Sequence, residues 1–146
     1  MKIYLKILTL FVFIASVSAC GFHKSPAERA EWFFEKGENY ISDSLDDHGA
    51  NDQQLATVEL TMKKHKPAVT ANLEQALINQ KSVFKGVMAG KTGSDLLELE
   101  KQFHNANQKA LRSIGTMHQE LENVVGKKIW AAAATERENK FSRHSK

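Results

Sequence analysis

The sequence predicts an all-α protein: a long antiparallel helical hairpin with shorter flanking helices, four helices in all. Three observations carry that prediction. Leu, Ala, Glu, Lys and Gln, all good helix formers, dominate the chain after residue 25. The alternation of β-branched residues that marks strands is essentially absent. Apolar residues recur at threes and fours along two long stretches, joined by the turn Ala89-Gly90-Lys91-Thr92-Gly93. Two prolines and eight glycines in 146 residues do not suggest a disordered chain.

The N-terminus has the order of an export signal. Lys2 and Lys6 supply positive charge, an apolar run extends from Ile7 through Val17, and small residues close it. The run is too short to span a bilayer comfortably. Val17-Ser18-Ala19-Cys20 then resembles the lipobox of bacterial lipoproteins. That resemblance implies a signal peptide over 1–19, lipidation of Cys20, and a lipidated tether over 20–25. Two or three acyl chains would anchor the chain durably, where one is marginal. Gly21 after the lipidated cysteine, rather than Asp, implies the outer membrane of a Gram-negative host. The plainer alternative is cleavage after Ala19 with a free thiol left behind. Cys20 is the sole cysteine, which excludes an internal disulfide and disfavours redox catalysis or a cysteine-rich zinc site.

The whole chain carries 20 Lys+Arg against 17 Asp+Glu. Removing Lys2 and Lys6 with the signal leaves 18 against 17, a near-neutral domain. That balance, with export, argues against nucleic acid as a partner. About 127 residues remain after residue 19, enough for one small domain.

The helical domain is expected over 26–140, with a polar tail at 141–146. Ser25-Pro26-Ala27-Glu28 opens the first helix: a capping serine, a proline at the first helical position and a glutamate three residues after the cap. Helical spacing continues to Leu45 and fades at Asp46-Asp47-His48-Gly49-Ala50-Asn51. Asp52 is the expected cap of the second helix. Its seam is Leu55, Val58, Met62, Val69, Leu73, Leu77, Phe84 and Val87. This seam stays in phase across Pro67, which points to one helix from about Asp52 to Met88, kinked near Pro67, over two separate ones. Ser94 or Asp95 is expected to cap the third helix, with Glu98 completing a box from Asp95. Its seam is Leu96, Leu99, Phe103, Ala106, Ala110, Met117, Leu121 and Val124, the narrow stripe of helices that pack side by side. Gly126 marks a break before a fourth helix from Lys127 to about Lys140.

Nothing in the spacing assembles a catalytic site, so no enzyme activity and no cofactor are expected. No two of the six histidines stand at i+3 or i+4. His104 and His118 share a face, yet four helical turns part them by roughly 21 Å. His48 beside Asp46 and Asp47 is the best local cluster, and a solvated turn explains it as well as a metal would; no metal ligands are assigned. Met62, Met88 and Met117 fall at seam positions, where packing is the ordinary role. Trp32-Phe33-Phe34 is more informative, because three consecutive residues on a helix span about 200° and cannot all enter one narrow seam. Either two other helices or a dimer bury them, or they contribute to an exposed apolar patch.

The layout resembles the Spy/CpxP group of periplasmic proteins. Arg29-Ala30-Glu31-Trp32 opens an aromatic first helix that leads to Ser44-Leu45-Asp46, then two long helices and a short last one follow. In place of the group's Leu-Thr-x-x-Gln motifs the chain has Asp52-Gln53-Gln54 after the first helix and Val124-Val125-Gly126-Lys127-Lys128 near the second position. The resemblance implies a curved homodimer that holds unfolded or misfolded envelope proteins without ATP. The residues expected on that client surface are Trp32, Phe33, Phe34, Phe84 and Met88. The alternatives are a metal-responsive envelope protein, zinc or copper being bound by some of that group, and a structural lipoprotein with one dedicated partner.

Overall fold

The computed structural model describes residues 24–144, with side-chain surroundings through Glu136. Residues 1–19, Cys20, Gly21 and the last two residues therefore lie outside the described region. Among the described residues all regular structure is helical: α1 (Pro26–Asp47), α2 (Asp52–Met88), α3 (Ser94–Val125) and α4 (Lys127–His144). The α2 and α3 helices form the hairpin, α1 packs along α2, and α4 folds back onto α1 and α3.

The first helix starts as its sequence requires. The backbone N–H of Glu28 donates to the Ser25 hydroxyl at 3.2 Å, and the Ser25 N–H donates to the Glu28 carboxylate at 2.7 Å. It stops because Gly49 takes a φ of +88°, open to glycine and strained for other residues. Gly49 N–H then reaches Asp46 O and Ala50 N–H reaches Leu45 O, both at 3.0 Å, which satisfies carbonyls left over at the helix end. Leu45 and Ala50 are both buried, the apolar contact that accompanies this motif. Gly90 closes α2 in the same way.

The second helix is a single element of 37 residues with Pro67 inside it. Pro67 is exposed, so the Lys63 carbonyl deprived of a donor faces water rather than the core. Its cap is Asn51, one residue earlier than expected. Asn51 and Gln54 form the reciprocal box, at 2.9 and 3.0 Å. Gln54 also donates from Nε2 to the carbonyls of Val124 and Val125 at 3.3 and 3.4 Å, where α3 ends. One glutamine thereby satisfies groups at the start of α2 and at the end of α3. The third helix departs further from expectation. Gly93 precedes it with no side-chain cap, so neither Ser94 nor Asp95 closes a box. The fourth helix continues to His144, past the expected Lys140.

The core is a strip. Val58, Met62, Val69, Leu73, Ala76 and Leu77 of α2 face Ala106, Ala110, Met117, Leu121 and Val125 of α3, with Ala30, Phe34, Ile41 and Leu45 of α1 against it. Val125, rather than Val124, occupies the last seam position. The small run before Thr135 lets α4 sit close to α1: Ala133 is fully buried, and its carbonyl accepts from the buried Ser44 hydroxyl at 3.2 Å. His118 meets Trp130 edge to face at 5.4 Å, joining α4 to α3.

Charge fixes the register of three helices near the middle of α2. Lys64 Nζ donates to Glu120 of α3 at 2.8 Å, while Lys66 Nζ approaches Glu31 at 3.0 Å and Glu35 at 3.6 Å on α1. His65 Nε2 also lies 3.0 Å from Glu120, too obliquely for a well-formed hydrogen bond, so proximity of charge is what that contact offers. Lys64 and then His65 hold the Glu120 carboxyl below its ordinary 4.5, and the Ser25 N–H does the same for Glu28. The Glu31 carboxylate raises Lys66 above its ordinary 10.5.

Two outcomes follow from these contacts. Gln54→Ala should lower the free energy of unfolding by about 1–2 kcal/mol in urea melts, since it removes a cap and leaves α3 carbonyls without a partner. Because folding lowers the Glu120 and Glu28 pKa values, their contribution is complete above pH 4.5 and is lost as pH falls through the depressed values. Glu120→Gln should therefore lose less stability than wild type between neutral pH and about pH 3. The Lys66 contribution has the opposite sense. It is complete below 10.5 and disappears as pH rises beyond that value.

Candidate functional site

The buried strip covers only part of the hairpin. The α1 and α2 helices start from a common turn and run antiparallel, but α1 has 22 residues and α2 has 37. The difference of 15 residues leaves an overhang of about 22 Å. Beyond Leu77 only Gly86 of α2 is buried, and before Ala106 nothing in α3 is. A Cβ at Gly86 would come within 2.7 Å of Leu99 Cδ1, so the two helices are in close contact at the tip. The tip is thus a two-helix projection with no third layer.

Its outer surface carries several exposed apolar side chains. Phe84 is 60% exposed and Met88 73%, with Val87 and, on the first turn of α3, Leu97 also exposed. Lys66, which faces α1, stands 18 residues before Phe84, or five full helical turns, so both occupy one side of α2. Lys66, Leu73, Leu77, Phe84 and Met88 are spaced by seven and four residues in alternation, which is one stripe. Leu73 and Leu77 are buried on it; Phe84 and Met88, past the end of α1, are bare.

The five aromatic and methionine candidates consequently separate into two places. Phe34 is 5% exposed and belongs to the core, with Lys66 Nζ 5.8 Å from its ring centroid. Phe33 is half-buried against the core and meets Trp32 edge to face at 5.1 Å. Trp32 lies at the rim, 36% exposed, with Lys24 Nζ 6.0 Å above its ring. From the level of Lys66, which pairs with Glu31 beside it, Phe84 is about 27 Å further along α2. Phe34 is thus unavailable to a ligand, and Trp32 does not join Phe84 and Met88. Three exposed apolar residues of the overhang, Ile78, Val87 and Leu97, are not among the candidates. Val87 falls on the expected seam of α2, whereas Leu97 is out of phase with Leu96 and Leu99, which is the signal that marks it as exposed.

Lys81, Lys85 and Lys91 are exposed around the tip, and no acidic residue occurs between Glu74 and Asp95. Met62 and Met117 are buried as seam residues, unlike Met88. His48 Nδ1 lies 2.8 Å from Ser44 O and 3.5 Å from Glu136. Among the described residues no group of three His, Cys, Asp or Glu side chains is placed to hold a metal ion. A shallow open hollow at the start of α2, lined by Asn51, Gln53, Gln54, Thr57 and Val124, offers amides and a hydroxyl but no titratable group. No helix among the described residues is long and apolar enough to cross a membrane.

The division between core and tip has a measurable consequence. Phe34→Ala should cost about 3–5 kcal/mol of stability, whereas Phe84→Ala should cost under about 1 kcal/mol, because only the first empties a packed site. Urea melts of the two variants compare them directly.

Compared with models of protein families, with curated proteins and with solved structures, the chain matches none.

Proposed function

We propose that this chain is a lipid-anchored, ATP-independent holdase of the periplasm, acting as a homodimer in the manner of the Spy/CpxP group and tethered through Cys20 to the outer membrane. One observation carries the reading: a stripe of α2 that is buried as far as Leu77 continues uncovered as Phe84 and Met88. Apolar side chains on a projecting hairpin, with lysines interleaved, can take up exposed hydrophobic segments of a client. The area is small and lacks a fitted pocket, so binding would be weak and release would need no nucleotide. The export signal and Cys20 supply the location, and the resemblance to the Spy/CpxP layout supplies the class of client, unfolded or misfolded envelope proteins. On this reading the client surface is narrower than the five expected residues, since exposure favours Phe84 and Met88 with Val87 and Leu97 and leaves Trp32 at a separate rim.

A chain beginning at Gly21 should suppress the aggregation of a chemically denatured model protein, followed by light scattering, at near-stoichiometric ratio. Phe84→Asp with Met88→Asp should remove most of that effect while far-UV circular dichroism stays unchanged. Absence of suppression at every ratio would reject the reading.

A further inference from the structure

The uncovered tip also has a direction. The N-terminus of α1 points toward the same end of the molecule as the α2–α3 turn, because α1 runs antiparallel to α2 from their shared turn. The tip extends about 22 Å beyond α1. The six residues from Cys20 to Pro26 span at most about 20 Å when extended. A tether extended in that direction would bring a bilayer at its start close to the level of the hairpin turn.

The chemistry of the tip suits such a surface. Phe84 and Met88 project from one side of α2, and Lys81 and Lys85 flank them at positions three before and one after Phe84, with Lys91 in the turn. This is the pairing of apolar insertion and cationic attraction by which a helical surface seats at the headgroup boundary of anionic lipid. No carboxylate stands between Glu74 and Asp95, so this end of α2 and the turn carry only positive charge, while Asp95 and Glu98 are exposed on the first turn of α3. A lone apolar face would fit many occupants; lysines on the same face, at the end to which the tether leads, select a lipid surface.

We propose that the hairpin tip docks onto anionic lipid through Phe84 and Met88, with Lys81, Lys85 and Lys91 contacting headgroups. The docking rests on the proposed anchor at Cys20 and is independent of the holdase reading. One consequence does rest on that reading: bilayer and client use the same side chains, so each excludes the other, and the chaperone surface is masked while the tip is seated.

The core contacts described above are all made within residues 24–136, so a chain beginning at Gly21 keeps the fold and has no acyl chains to confuse the measurement. Flotation with phosphatidylglycerol vesicles should recover this chain, and phosphatidylcholine vesicles should recover far less. Phe84→Asp with Met88→Asp should weaken binding at least tenfold, and raising the salt to about 0.5 M should weaken the wild type as well. The same chain lacks cysteine, so Phe84→Cys carrying an environment-sensitive dye should shift to the blue on phosphatidylglycerol vesicles, and the label at Glu59→Cys should not. No recovery with phosphatidylglycerol, or equal recovery of wild type and the double variant, overturns the proposal. So does a concentration-dependent dimer that the double variant abolishes without any vesicle binding, since the face would then belong to a second copy. Vesicle binding without aggregation suppression retains the docking and removes the holdase; suppression without vesicle binding does the reverse.

Discussion

The structure depends on one rod serving two partners of unequal length. The α2 helix presents one stripe to α3 and another to α1, and buries both where the three overlap. Apolar area removed from water contributes about 25 cal/mol per Å², so each stripe adds stability only over the length that a neighbour covers. The α3 helix nearly matches α2, which makes the hairpin. The α1 helix is 15 residues shorter, which makes the tip. Core and candidate site are consequences of the same mismatch.

Polar contacts register this assembly rather than drive it. Lys64, His65 and Lys66 are consecutive, and steps of about 100° aim them at different neighbours, Glu120 on α3 and Glu31 with Glu35 on α1. These pairs are largely exposed, so their value lies in setting which turn faces which. The closed end is different. There Gln54 joins the start of α2 to the end of α3, and the buried Ser44 hydroxyl joins α1 to α4. Polar groups withdrawn from water must find partners, and these do. At the open end the few cross-helix ties include Asn79 donating to Gln102 O at 3.1 Å. Beyond it the hairpin rests on the close approach at Gly86.

The hairpin tip offers apolar side chains, lysines and a lever arm, for which a client and a lipid surface are proposed in turn. Both rest on Phe84 and Met88 being outside the core. Trp32, by contrast, sits at the rim beside Lys24, near the start of α1, and is too far along α2 to share a ligand with them.

Much of the architecture was legible in the residues. Ser25-Pro26-Ala27-Glu28 specified its own capping box, the unbroken phase across Pro67 announced one helix, and Gly90 and Gly126 marked the ends of α2 and α3. These are local matters: a cap, a turn or a period involves neighbours within a few residues, which any reader of the chain can see. Caps were misplaced by one residue at Asn51 and absent at Gly93, because several polar residues in a row offer equivalent caps and packing chooses among them. Periodicity likewise identifies a stripe without saying whether anything lies on it. Leu77 and Phe84 are seven residues apart in one pattern, yet the first is buried and the second exposed. Only the tertiary arrangement decided that, since burial depends on how far a neighbouring helix reaches, a relation between distant segments that no window of the sequence contains.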